Sequence, residues 1–185
     1  MVTRKQILNR LKPFTENSVS ITNYGMAIAF MNGIFTRALQ PMVTAFEAAD
    51  QLDLVRLEAL TGIVRTVEGD NFRAPNDRIA ESLRTHLIAL LTKLAKQKQG
   101  PADRTPGGHL WMRSKAVEAL GHSQFNKANP ATIDVLDSLI ADDKDALNIR
   151  VAAAHALGRV NWASGVKYDI AAGLERMDDL LADIV

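Results

Sequence analysis

Cysteine is absent from the 185 residues. That single absence excludes a disulfide framework, a Cys-ligated zinc and thiol catalysis together. Aromatic residues make up only 5% of the chain, too few for the aromatic and β-branched alternation of a strand-rich fold. Long hydrophobic runs are missing too: the longest spans Met26 to Met31, against the roughly 18–20 residues that a membrane-crossing helix needs. The opening "MVTRKQILNRLKP" mixes charges into its apolar residues, unlike a secretory leader. Together these absences lead to the expectation of a cytoplasmic protein. Net excess of either charge is also lacking, since 22 Lys and Arg face 21 Asp and Glu. A dedicated nucleic-acid binder carries a strongly basic domain, so nucleic acid is an unfavoured partner.

The charges that are present come in blocks. Lys and Arg against Asp and Glu give +4 over residues 1–40, −4 over 41–83, +6 over 84–115 and −5 over 134–185. Blocks of this kind govern the choice of partner more than the fold.

Apolar residues recur at three- and four-residue spacing almost throughout, which predicts helices and no strands. Thr3 and Gln6 read as a capping box for a first helix that stops at Pro13, and a further helix is expected around Thr22 to Met31. Pro41 suits the first turn of a short helix running through Ala49. Leu57, Leu60, Val64 and Val67 mark one face of a helix over 53–67 that stops near Gly69. Asn76 is placed to cap a long helix to about Gln97, and Asn129 before Pro130 to start another. A last helix is expected from near Ser164, with Val166, Ile170, Leu174, Met177, Leu181 and Ile184 as its inward stripe. "QGPADRTPGG", residues 99–108, is the one loop rich in helix breakers, and it reads as a long connection inside a single domain, 1–185.

One internal similarity has a period. Shifting "IRVAAAHALG", Ile149 to Gly158, back by 37 residues lays it over "MRSKAVEALG", Met112 to Gly121. Positions 149, 152, 153, 156, 157 and 160 are all apolar, while their counterparts depart at Lys115 and Ser123. A fixed period of this length marks stacked repeats. Three consecutive alanines combine high helix propensity with little bulk, as in a helix packed on two sides.

The segment "LDSLIADDKDALNIRVAAAHALG", Leu136 to Gly158, resembles a PBS-lyase HEAT-like repeat: a leucine-rich helix, an Asp turn, then V-R-x-x-A-A-x-A-L-G. The resemblance extends in part over 110–160, and 1–98 is a less regular helical part. It implies an all-α, α-α superhelix (a HEAT or armadillo-like solenoid) of antiparallel helix pairs. It also implies structural repeat positions at Asp143, Arg150, Leu157, Gly158, Leu120 and Gly121, with Arg150 paired to Asp143 or Asp145. The expected function is a non-catalytic protein-binding scaffold. A bilin-lyase-like enzyme or subunit, or a DNA-binding protein of alkylated-base repair, stand as alternatives.

Site chemistry is sparse. No paired acids, nucleophile elbow or glycine-rich phosphate loop can be found. His86, His109, His122 and His155 are scattered and none stands beside Glu, as the His-Glu pairs of the HEAT-like deoxyhypusine hydroxylase do, so no metal and no cofactor is expected. Lys93, Lys96, Lys98, Trp111, Arg113 and Lys115 form the candidate binding patch for an unidentified protein partner. Lys93, Lys96 and Lys98 also read as a helix end whose dipole favours cations. Glu175, Asp179 and Asp183 make an acidic row on the last helix. The apolar stripe of that helix reaches the end of the sequence uncapped, which leaves two readings open: the chain continues in a longer protein, or this end pairs with another copy as a homo-oligomer.

Overall fold

The computed structural model describes residues 39–48, 51–73, 75, 78–124 and 127–183. The expected capping box at Thr3 and Gln6, the stop at Pro13, the helix around Thr22 to Met31, the cap at Asn76 and the end at Ile184 lie outside those residues.

The described residues are helical, with no strand among them. In chain order they form α1 (39–47), α2 (Asp53–Asp70), α3 (Glu81–Lys96), α4 (Pro106–Ser123), α5 (Pro130–Ala141), α6 (Leu147–Leu157), a 3₁₀ turn (Trp162–Ser164) and α7 (Ile170–Ala182). Three starts have the chemistry expected of them. The Thr105 hydroxyl accepts from Gly108 N–H ahead of Pro106, the Asn129 side chain accepts from Ala131 N–H ahead of Pro130, and the Asp169 carboxylate accepts from Ala172 N–H. Each satisfies an N–H that the first turn leaves without an intrahelical acceptor.

Three boundaries differ from the sequence expectation. The helix expected from Asn76 begins at Glu81. Gly107 and Gly108 fall inside the first turn of α4 rather than in the loop, because a capped Pro start tolerates them. The last helix starts at Ile170, not near Ser164, since the chain turns at Gly165 with φ +80.

α4 is the central helix, packed against α2, α3 and α6; α6 also packs on α5, and α5 carries α7. Met112, Ala116, Leu120, Leu136, Ile149 and Ala153 are all inaccessible to solvent and belong to the main core. A smaller cluster joins Leu39 and Val43 of α1 to Ile63, Val67, Ile79 and Leu87. In α6 the alanines divide: Ala153 and Ala156 are buried, Ala152 and Ala154 half-buried, and His155 exposed. The helix thus buries one face and is partly covered elsewhere.

The two glycines aligned by the 37-residue shift do different work. A Cβ at Gly121 would stand 2.7 Å from both Cα and Cβ of Ala156, so α4 and α6 cross there nearly in backbone contact. Gly158 is exposed at the end of α6.

Candidate functional site

The arginines at the repeat position are built into the interior. Arg113 is 2% exposed. Its Nε and Nη2 donate to the Ala95 carbonyl at 3.0 and 2.9 Å, while Nη1 and Nη2 donate to the Asp145 carboxylate at 2.8 and 2.5 Å. The planar fork therefore ties the end of α3 to the α5–α6 turn. Burial pushes the Asp145 carboxyl up, but the hydrogen bonds from Arg113 and from Ala146 N–H outweigh it and hold the group below its ordinary value. Arg150 follows the same pattern one helix pair on, donating Nε to the Ile140 carbonyl at 3.0 Å and Nη1 to Asp183. Its partner is thus Asp183, not Asp143 or Asp145; Asp143 is exposed. The guanidinium reaches forward to the next carboxylate because its Nε is already anchored on the preceding helix end.

The candidate binding residues separate accordingly. Lys93, Lys96 and Lys98 are exposed on the last turn of α3 and the loop after it. Lys98 is engaged, with its ammonium 2.6 Å from Asp142. Trp111 is 41% exposed, Lys115 stands 5.8 Å from the centre of its ring, and the same ammonium reaches Glu118 at 2.6 Å. Arg113, by contrast, is almost wholly buried. Leu120 and Leu157 are core residues, and Gly121 is the crossing point.

Beside this patch lies an open cleft of about 490 Å³, lined among others by Lys98, Arg104, His109 and Arg113. Its charges are answered from within. Arg104 Nε donates to both oxygens of Asp53 at 3.0 and 3.1 Å, and Arg104 Nη1 lies 3.3 Å from His109 Nδ1. An arginine can only donate and a carbonyl only accept, so His109 Nδ1 accepts while Nε2 donates to the Gln97 carbonyl at 2.6 Å. The cleft wall is a hydrogen-bonded brace for the 97–105 loop. Among the described residues, no cluster of His, Asp and Glu has the arrangement to hold a metal ion.

His122 is the titrating group with the clearest consequence. Burial lowers its pKa, and Arg159 lowers it further. As pH falls below 6.5 the unfolded chain takes up a proton that folded His122 resists. The stability linked to this residue is therefore complete above 6.5 and declines as pH drops toward the depressed folded value. His122→Gln is expected to flatten that part of the curve of unfolding free energy against pH, measured by urea titration, while leaving the loss below 3.8 from Asp145.

The other concavity is apolar. A groove of about 210 Å³ is lined by Leu157, Trp162, Tyr168, Ile170, Leu174 and Met177. Here the sequence expectation holds only in part: Val166 and Met177 of the expected stripe pack against the core, whereas Ile170, Leu174 and Leu181 face out, 68%, 57% and 58% exposed. Only Gly173 and Leu180 of this helix are buried. Leu180 joins the main core and Met177 packs against it, and polar contacts add to the docking. The Asp137 carboxylate accepts from Tyr168 Oη at 2.7 Å and from Arg176 Nε at 2.8 Å, and Arg150 reaches Asp183. Tyr168 lies across Gly173, where a Cβ would run into its hydroxyl. The outer apolar residues of this helix are left uncovered among the described residues.

Comparison with known proteins gives one family match. Residues 1–41 match the family model of the hydrogen maturase F tetramerization domain. Under a quarter of the chain is covered, and the match shares only residues 39–41 with the described structure. No curated protein and no solved structure matches. The tetramerization-domain match, with no HEAT-repeat family model matching, overturns the repeat-family resemblance. The scaffold function inferred from it falls with it, as do the bilin-lyase and alkylated-base repair alternatives and the solenoid description. The physical reason is specificity: an Ala-rich helix ending in Leu-Gly is what any close helix crossing selects, so the motif near Gly158 does not by itself identify a family. The matched family is named for tetramerization. Among the described residues no helix is long and apolar enough to cross a membrane.

Sequence reading missed the N-terminal segment as the place to look. Its usable signals were the apolar run Met26 to Met31 and the basic block of residues 1–40, both of which stand out from their surroundings.

Proposed function

We propose that this chain is a self-assembling helical protein in which residues 1–41 join four copies, a role of the kind for which the matched domain is named. The observation that carries the reading is that match. The helical body supplies a mechanical argument in support. Leu39, inside the matched range, and Val43 just beyond it are both inaccessible to solvent, packed with Ile63, Val67, Ile79 and Leu87. The matched range therefore ends in a buried helix of the body.

Sedimentation equilibrium or native mass spectrometry of the full chain tests this. The expected species at micromolar concentration has four times the 20.2 kDa chain mass. Ile28→Glu, which places a charge inside the Met26 to Met31 run, is expected to shift the population to smaller species while the helical circular dichroism persists. A chain that stays monomeric at every concentration removes the proposal.

A further inference from the structure

We infer that the bare face of α7 is the seat for residues 4–12 of a second copy, the basic start of the segment matched to the tetramerization domain. This deepens the self-assembly reading and rests on it.

The seat is apolar at its centre and acidic at its rim. Ile170, Leu174 and Leu181 follow one another at four and seven residues, so they line one side of the helix. Their exposure has no role in the chain's own fold, because Leu180 and the ion pairs to Asp137 and Asp183 already dock the helix. Glu175 and Asp178 are exposed on the flank turned away from the body, and neither has an ion-pair partner among the described residues. An occupant must therefore bring apolar side chains together with positive charge.

A second α7 fails that requirement, since it would bring a like-charged rim to this one. An anionic membrane surface fails for the same reason. Residues 4–12 meet it: Ile7, Leu8 and Leu11 are interleaved with Arg4, Lys5, Arg10 and Lys12, in a block where five cations face one acid. The 26 residues between Lys12 and Leu39 span up to about 90 Å when extended, so the segment can reach a neighbouring body. Each copy would then offer one segment and one seat.

Charge exchange in the full chain, followed by sedimentation velocity over a concentration series, tests this. Glu175→Lys with Asp178→Lys is expected to weaken assembly at least tenfold, and adding Lys5→Glu with Arg10→Glu is expected to restore it to within about threefold. Both seat positions are exposed, so folding is retained and circular dichroism checks it. Because the chain has no cysteine, a Leu8→Cys chain mixed with a Leu174→Cys chain and oxidised should yield a linked pair of doubled mass. An assembly insensitive to the reversal, weakening without rescue, or no linked pair overturns the seat while leaving self-assembly standing. A monomeric unmodified chain removes both.

Discussion

Replacing Arg113 with alanine is expected to lower the unfolding free energy by about 3–5 kcal/mol, the usual cost of removing one partner from a buried ion pair. Both side chains of the Arg113–Asp145 pair are 2% exposed. Truncation takes these donors from the Asp145 carboxylate and the Ala95 carbonyl together. Arg113→Lys restores the charge but not the fork, so it is expected to recover only part of the loss. Arg150→Ala should cost less, because its Asp183 partner is half-exposed and can be hydrated. Lys115→Ala should fall within about 0.5 kcal/mol of the unmodified protein, as surface substitutions do. Urea titrations on the four variants give the ranking directly. An Arg113→Ala protein as stable as the parent would mean that the fork is not what joins α3 to the α5–α6 turn.

Gly121→Val carries the second large effect, a loss of about 1–3 kcal/mol or more from overpacking. The clash is with the Cα of Ala156 as well as its Cβ, both 2.7 Å from the added atom. A flexible side chain could swing aside; a helix backbone cannot, so α4 and α6 must separate along their crossing. Ala156→Gly in the same protein removes the Cβ part of the conflict and is expected to return some, but not all, of the stability. Gly158→Ala serves as the contrast. Its added Cβ would lie no closer than 3.4 Å to any neighbour, and little change is expected. Thermal melts followed by circular dichroism separate these cases. Equal effects at Gly121 and Gly158 would refute the close crossing.

These two expectations mark where one-dimensional reading is strong and where it fails. Periodicity alone located the helices, because an apolar residue every three or four positions has one economical solution in water. The start at Pro130 was equally readable, since capping is chemistry between residues two or three apart, whereas Pro106, read as part of a breaker-rich loop, opens a helix instead. The start of α7 was not: Val166 is in phase with the stripe, yet Gly165 adopts a left-handed turn just before it. The repeat alignment placed Arg113 and Arg150 in equivalent roles but chose the wrong carboxylate for Arg150. Its partner lies 33 residues ahead on another helix, and no local rule selects among several aspartates at that range.

The candidate surfaces divide the same way. A block of seven cations against one acid from Arg84 to Lys115 looked like one binding patch. Folding consumed part of it, burying Arg113 and pairing Arg104 with Asp53 and Lys98 with Asp142. Charge counts cannot distinguish a cation awaiting a partner from one that already has it.

By itself, the sequence determined that this protein is helical, cysteine-free and zoned in charge, because propensity, capping and composition act over a few residues. Tertiary structure alone decided that Ile170, Leu174 and Leu181 of α7 face outward, that Gly121 rather than Gly158 is the contact point, and which acids answer which arginines. An amphipathic pattern specifies that a face must be covered, whereas the covering surface is set by how distant segments meet in space.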